Sequence, residues 1–419
     1  MGLCSHAAPS FAHMLECCLD QRLQTWQKGF NMLNAIEISP KVWWVGGIDW
    51  NERLFQRLYH RNAVSRITLT SSWMRRSPSS TRARQRSRTS SSSAFPRWST
   101  PAKIDVVITN HVEMDHSGSL PVVHKIAPNA QIYASAGAGV NEVRAHFGIE
   151  ATPVKSGDTL CIGERTLTFV TTPMVHWPDN MVTYSDVDQI LFSNDAFGQH
   201  YATTKRFDDE NDLCEIFKQA KKYYANIVWP YGMQAHKALE AVKGLELKMI
   251  APSHGCIWRS HIPEILERYE VWTTYQTEEK AVVVFDSMWH STESMAREIC
   301  DAFIAEGVSA QLIDIKNTHI SDIMLYMCDA RYVAVGSPTL NSNMLPTVAS
   351  SSPTCAVFRP RTTSVSALPL AHTVGLRSAP SRCTPSSRTR SSSCRCPWLP
   401  TVDSVARRTS PSCRTRFAR

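Results

Sequence analysis

The stretch Ile104–Pro121 constrains this chain more than any other. It reads Ile-Asp-Val-Val-Ile-Thr-Asn and continues as His111-Val-Glu113-Met-Asp115-His116-Ser-Gly. An apolar, β-branched run of this length predicts a strand buried on both faces, and it opens into four potential metal ligands within six residues. Two imidazoles and two carboxylates packed so closely would repel or desolvate one another in a protein interior unless a cation sat among them. Nitrogen and oxygen donors without a thiolate favour iron, manganese or zinc. The plain alternative is a polar loop that is rich in His and acid by chance.

The same pattern recurs three times downstream, which counts against chance. Leu167–Thr172 is strand-like and ends in Pro173-Met-Val-His176-Trp-Pro-Asp179. Gln189–Asn194 ends in Asp195-Ala-Phe-Gly198, and Lys248–Pro252 in Ser253-His254-Gly255. Sites in such sheets form where strands end, so one rim would collect His111, Glu113, Asp115, His116, His176, Asp195 and His254. Seven donors exceed one tetrahedral ion and suit two ions with a bridging carboxylate.

A second kind of loop lies near the other end. Ala281–Phe285 reads as a buried strand and is followed by Asp286, then Ser287, Met288, Trp289, His290, Ser291 and Thr292, where a helix to about Glu306 begins. Free backbone N–H groups and hydroxyls converging at a helix start bind phosphate; the Lys of a nucleotide-hydrolysing loop is missing. Ala310–Ile315 and Tyr332–Gly336 are two more strands around a helix at Asp322–Met327. The last of them runs into a second loop, Ser337, Pro338, Thr339, Leu340 and Asn341.

With these motifs in hand the sequence resembles the flavodiiron proteins over residues 36–55 and 101–348, and the His-x-Glu-x-Asp-His form at His111–His116 carries most of the likeness. That resemblance implies an α/β chain, a metallo-β-lactamase-like αββα sandwich followed by a truncated flavodoxin-like doubly wound domain. It implies two non-haem iron ions, one held by His111, Glu113 and His176 nearer the flavin, the other by Asp115, His116 and His254, with Asp195 bridging. Hydrolases of the metallo-β-lactamase fold usually carry His where this chain has Glu113, and a carboxylate there favours iron over zinc. By the same resemblance Ser287–Thr292 would hold the FMN phosphate and Ser337–Asn341 the ring and ribityl chain. His200 is a candidate proton donor behind the ligands, or a core histidine. The implied activity is reduction of dioxygen to water or nitric oxide to nitrous oxide, in a head-to-tail homodimer. Electrons would come from a separate donor: a rubredoxin-like protein, a reductase or a reduced deazaflavin. A zinc-dependent hydrolase of the same fold is the runner-up, and an inactive product of a damaged gene a third reading.

Composition enters through its distribution. The net charge of +8 suggests nucleic-acid or membrane affinity until it is located. No Asp or Glu occurs between Arg53 and Ile104, and only Asp403 occurs after Ser350, while Arg and Ser crowd both intervals. The excess positive charge belongs to these two blocks, whose Arg residues have little aromatic interleaving for base stacking. Nucleic acid and membrane are therefore not expected partners. Neither block has a period of 2 or 3.6, and neither could bury a core. Reading-frame changes over about Gln56–Ser99 and after Ser350 are expected to account for both; the alternatives are a genuine disordered arginine-serine insert in the first and a real RNA-binding or phosphorylated extension in the second. The expected division is an N-terminal extension 1–35, a diiron domain 36–279 with 56–100 disrupted, a partial FMN domain 280–350 with three of five strands, and a tail 351–419.

No apolar run reaches the ~18 residues needed to span a bilayer, and no Cys-x-x-Cys occurs among the thirteen cysteines. A cytoplasmic enzyme without a fused rubredoxin is expected. A short helix is expected around Met14–Lys28, a strand and turn over Lys41–Trp50, and a strand at Gln131–Ala134. A helix over Asn141–Phe147 follows, then a hairpin of Thr159–Ile162 with Thr166–Val170 and a helix capped by Asp208 that runs to about Ala225. Trp43, Trp44 and Trp50 are read as packing, Cys161, Cys256 and Cys300 as core.

Overall fold

A computed structural model of the chain describes residues 36–46, 48, 54–55, 59–60, 104–350 and 364–370. The helix expected at Met14–Lys28, nearly all of the interval Gln56–Ser99 and most of the tail lie outside the described residues. The chain forms two compact units, the second made of the chain from Val271 onward together with Leu58–His60.

The first unit opens with a hairpin, β1 (Ile36–Ser39) and β2 (Val42–Trp44). A parallel sheet follows, of β3 (Val106–Thr109), β4 (Gln131–Ser135) and β5 (Thr152–Val154). Its connections carry α1 (Met114–Ser117), α2 (Leu120–Ile126) and α3 (Ala138–Phe147). The second sheet contains β6 (Thr159–Cys161), β7 (Thr166–Thr171), β8 (Met181–Ser185), β9 (Ile190–Asn194) and β10 (Met249–Pro252), in the order β10-β9-β8-β7-β6. Only β9 and β10 pair in parallel. A parallel pair needs a crossover, and α4 (Leu213–Tyr223) and α5 (Gly232–Val242) lie within it. A last helix, α6 (Ile262–Thr273), follows β10.

The period of 2 along β3 explains why every residue in it is buried. Val106 and Ile108 pack with Leu167, Phe169 and Met181 of the second sheet, whereas Val107 packs with Leu120, Val123 and Val143 of the helices. Farther along that same face of the second sheet Ile190 and Phe192 of β9 meet Val42 and Trp44, while Leu191, on the opposite face, shares a small pocket with Ala235 and Leu239 of α5. Helix, sheet, sheet and helix are thus stacked in four layers, as expected from the sequence.

Asp208 is a correction. The cap of α4 is Asp212, whose Oδ1 accepts from Cys214 N at 2.9 Å and Glu215 N at 3.3 Å. Asp208, fully buried, instead accepts from Arg259 N at 3.0 Å and His261 N at 2.7 Å, just ahead of α6. Both residues suit the local signal for a helix start; the unpaired N–H groups at the start of a distant helix claimed the earlier one. α3 also begins earlier than expected, at Ala138 rather than Asn141.

The second unit holds β11 (Glu278–Phe285), α7 (Ser291–Ala305), β12 (Ser309–Asp314), α8 (Ile320–Met327), β13 (Ala330–Leu340) and β14 (Ser364–Leu370). The four strands pair in parallel in the order β12-β11-β13-β14, with Ala296 and Cys300 of α7 packed on Val283, Phe285 and Ala334. The sequence led us to expect three strands, and β14 is the fourth. Ser-Val-Ser-Ala-Leu-Pro-Leu hides in a Ser- and Pro-rich composition, and Pro369 suits a strand recruited to an open edge. A second difference is that Ser337–Leu340, expected as a loop, is the end of β13 and pairs back on Asn343 and Met344 through Asn341 and Ser342, both at positive φ. Among the described residues no helix is long and apolar enough to cross a membrane.

One buried ion pair ties the first hairpin to the second sheet. Asp188 accepts from Arg165 Nε at 2.6 Å and Nη2 at 3.0 Å, and from Ser39 and Ser185 hydroxyls at 2.8 Å each. Burial alone would raise the Asp188 carboxyl, but Arg165 and the two hydroxyls outweigh it and hold it below its ordinary value. Removing one member leaves the other charge buried, so Asp188→Ala is expected to lower stability by about 3 kcal/mol. Urea unfolding should show this as a lower midpoint at unchanged slope.

Candidate metal centre

All seven predicted donors meet at one end of the first unit. His111 and Glu113 follow β3, Asp115 and His116 ride on α1, and His176 lies between β7 and β8. Asp195 and His254 each stand just past the end of a strand, β9 and β10. The strands are short and buried, so each ends at the same rim and delivers its polar residue there.

Asp195 organises the cluster into two halves. Its Oδ2 lies 3.6 Å from both His111 Nε2 and His176 Nε2, and those imidazoles lie 3.3 and 3.1 Å from Glu113 Oε2. Its Oδ1 lies 3.1 Å from His116 Nε2 and 3.4 Å from His254 Nε2, which stand 3.5 and 3.2 Å from Asp115 Oδ2. An ion with ligand bonds of roughly 2.1 Å holds neighbouring donors about 3.0–3.4 Å apart, so each half has the spacing of a single coordination sphere. The chemistry of the donors fits as well. Both Asp115 oxygens and Asp195 Oδ2 are shut away from water without a hydrogen-bond partner, a costly state that two cations would relieve.

Electrostatics points the same way. Burial pushes the His111 imidazolium down, but hydrogen bonds to Asp179 and Glu113, with the Asp195 charge, outweigh it and raise His111 to about 10. Burial likewise pulls Glu113 and Asp115 up, yet their histidine neighbours hold each at about 2. Asp195 is held well below its ordinary range despite complete burial, by His116 first, and the Asp195 and Asp115 charges raise His116 against its own burial. Three ionised carboxylates therefore keep protons on His111 and His116 when no metal is there.

Two supporting residues escaped the sequence reading. Asp179 accepts from His111 Nδ1 at 2.9 and 3.0 Å and from Val112 N at 2.6 Å. A carboxylate can only accept, so the His111 proton sits on Nδ1 and Nε2 faces the cluster. The visible signal was that Asp179 closes the same loop as His176. Tyr223 donates to Asp195 Oδ1 at 2.9 Å, and burial with that charge raises its hydroxyl well above the ordinary value. Nothing in the pattern of α4 marked it, because Tyr223 reads as core. His200, fully buried, packs its ring edge-on to His254 and Tyr223 at 5.1 and 4.7 Å, behind the donors rather than among them. A group at His236, Glu240 and Glu270 also has ligand spacing, but Lys243 already pairs with both acids at 2.6 and 3.2 Å.

In the second unit the two expected loops adjoin at the ends of β11 and β13, where Phe285 pairs with Gly336 and Asp286 N donates to Gly336 O at 3.1 Å. His290 takes a left-handed conformation that turns Ser287–His290 into α7. Ser287 Oγ and Thr292 Oγ1 are buried without a partner, which fits a phosphate seated over the helix start. A Cβ at Gly336 would lie 3.0 Å from Thr292 Cγ2, so the glycine lets β13 approach the loop. Met288 and Trp289 are exposed, Trp289 to 83%, and Ser337 and Pro338 continue β13 toward the exposed Leu340 and Asn341.

A four-layer α/β metal domain joined to a parallel-sheet domain with a phosphate loop defines the class, and comparison with known proteins agrees. The ODP family beta lactamase model matches residues 90–255 and the flavodoxin model residues 283–351. A nitric oxide reductase of Moorella thermoacetica is 36% identical over 327 residues, covering 76% of this chain and 81% of that protein. A rubredoxin-oxygen oxidoreductase of Megalodesulfovibrio gigas is 40% identical over 256 residues, covering 59% and 63%. Among solved structures, a rubredoxin oxygen:oxidoreductase from Desulfovibrio gigas aligns at TM-score 0.72 and 31% identity over 81% of this chain and 86% of that one. The flavodiiron protein of Giardia intestinalis aligns at 0.72 and 29% over 82% and 85%. The chain belongs to the flavodiiron proteins.

Two outcomes are expected. Metal uptake at neutral pH must displace protons from His111 and His116, so calorimetry in buffers of different ionisation enthalpy should register proton release, and affinity should fall as pH falls. In the metal-free protein the raised His111 contributes stability that is complete below its ordinary 6.5 and lost as pH climbs toward about 10. Glu113, ordinarily 4.5, contributes stability present above that value and lost as pH falls toward about 2. Thermal melts of metal-free protein should therefore peak between these limits, and metal loading should flatten the alkaline side.

Proposed function

We propose that this protein reduces dioxygen to water, or nitric oxide to nitrous oxide, with electrons passed from FMN to a diiron centre. The observation that carries the reading is the division of the donors by Asp195 into two half-sites of equal spacing, in which Glu113 makes one half carboxylate-rich. When bound, FMN would divide electron pairs into single steps, and the iron pair would hold and reduce the diatomic substrate.

The chain's own residues set the conditions. His111, Glu113 and His176 would hold one ion, Asp115, His116 and His254 the other, and Asp195 would bridge them. Asp179 locks the His111 ring with Nε2 forward, and Tyr223 orients Asp195 without giving up its proton. His200, beside Tyr223 and His254, would deliver protons from the protein side. Ser287 and Thr292 would hold the FMN phosphate, with Met288, Trp289, His290 and Ser291 framing it; Ser337, Pro338, Thr339, Leu340 and Asn341 would line the ring and ribityl chain.

Three finer points belong to this reading. The donor is a separate molecule, a rubredoxin-like protein, a reductase or a reduced deazaflavin; relatives named for rubredoxin and for coenzyme F420H2 support that class. The working unit is a head-to-tail homodimer, in which one subunit's flavin serves the other's irons. The compartment is cytoplasmic, in keeping with the free thiols at Cys161, Cys214 and Cys300. We also retain the reading-frame changes over Gln56–Ser99 and in the tail, to be decided by resequencing the transcript.

Anaerobically reduced, iron-loaded protein should be reoxidised rapidly by dioxygen or nitric oxide, and Asp195→Asn should lose at least one iron and about 10–100-fold in rate. Zinc retained in place of iron, with ester hydrolysis, would overturn the proposal. Thr292→Val should weaken FMN about tenfold or more, the loss of one hydrogen bond to a charged group. Mixing that flavin-poor chain with Asp195→Asn chains should restore turnover if electrons cross between subunits, and no restoration would argue for a monomer.

A further inference from the structure

Between β9 and α5 the first unit encloses a pocket on the far side of the metal-bearing loops. Val175, Ala196, Phe197, Ala235, Leu239 and Tyr269 line it, and there is room for about one water-sized molecule. Val175 immediately precedes His176, and Ala196 and Phe197 immediately follow Asp195. One turn of backbone therefore separates this space from two of the donors.

The polar groups at the pocket wall are engaged elsewhere. Thr172 Oγ1 donates to Asn180 Oδ1 at 2.9 Å, and Tyr269 Oη is engaged by Phe197 N at 2.7 Å. The Ala196 carbonyl accepts from Ser193 Oγ at 2.8 Å, and the Phe197 carbonyl from Trp258 Nε1 at 2.9 Å and Gln199 Nε2 at 3.1 Å. A trapped water needs two to four polar partners, and these lining groups are spoken for. Small apolar molecules face no such requirement, and empty apolar cavities bind them.

We propose that this pocket is a docking site for the apolar diatomic substrate, which waits there before passing the Val175–His176 and Asp195–Phe197 backbone to reach the metals. The proposal rests on the oxygen or nitric oxide reductase reading for its ligand, but not for its test. Ala238, a half-buried lining residue, marks the solvent side, and a larger side chain there can fill the space while relaxing outward.

Crystals of the full chain pressurised with krypton, an inert sphere close in size to the diatomics, should show one peak among Val175, Ala196 and Leu239. Ala238→Leu should abolish that peak. In stopped flow, reduced Ala238→Leu protein with two irons still bound should react with dissolved gas severalfold more slowly in second order, and Ala238→Gly should restore the wild-type constant. No krypton in the wild-type pocket overturns the proposal, as does loss of the peak without any change in the reaction constant. If reduced, iron-loaded wild type reacts with neither gas while krypton still binds, it is the functional reading that fails.

Discussion

Three carboxylates and four imidazoles share one buried space at the rim of two sheets, and their charge balance is the constraint on which the rest of this unit depends. Burial works against every ionised member, yet Glu113 and Asp115 stay at about 2 and His111 is lifted to about 10, because each is repaid by an opposite neighbour. Such an arrangement is stable only while the geometry is kept. Asp195 stands against the histidines of both halves, so a small displacement of that carboxylate would unbalance four imidazoles together. Tyr223 and Asp179 guard against this from opposite sides, one holding Asp195 and the other His111.

The hydrophobic layers explain how so polar a cluster is held still. Val106 and Ile108 are gripped from one side and Val107 from the other, so β3 cannot slide without exposing one set or the other. His111 and Glu113 inherit that rigidity. The same loops turn their apolar residues outward to the pocket under α5, and the hydrogen bonds that hold the loops in place also engage polar groups at its walls. A fixed metal site and an apolar pocket are thus two products of one set of backbone contacts.

The second unit applies the same strand-end logic to a different ligand. Its loop leaves two hydroxyls buried and unpaired at a helix start, a setting that suits an anion rather than a cation. The two rims therefore differ in the sign of charge they suit, with carboxylates gathered at one and hydroxyls at a helix start at the other.

Much of this was legible in the order of residues. The seven donors announced themselves because each follows an apolar run, and strand direction alone sends such residues to one rim; the hairpin of β6 and β7 followed from periodicity and turn chemistry, and the four layers from the resemblance to flavodiiron proteins. The partners that make the site work were not legible. Tyr223 looks like any core residue of an amphipathic helix, Asp208 and Asp212 carry the same capping signal, and β14 lies in a stretch whose composition argues against a strand. Each was settled by a contact far away along the chain, with Asp195, with the start of α6 and with the open edge of β13. The sequence by itself determined which atoms can bind and which strands deliver them, because those depend on local alternation. Only the tertiary structure decided how Asp195 divides them, who holds it there and where an apolar pocket remains, because those depend on surfaces that meet only after folding.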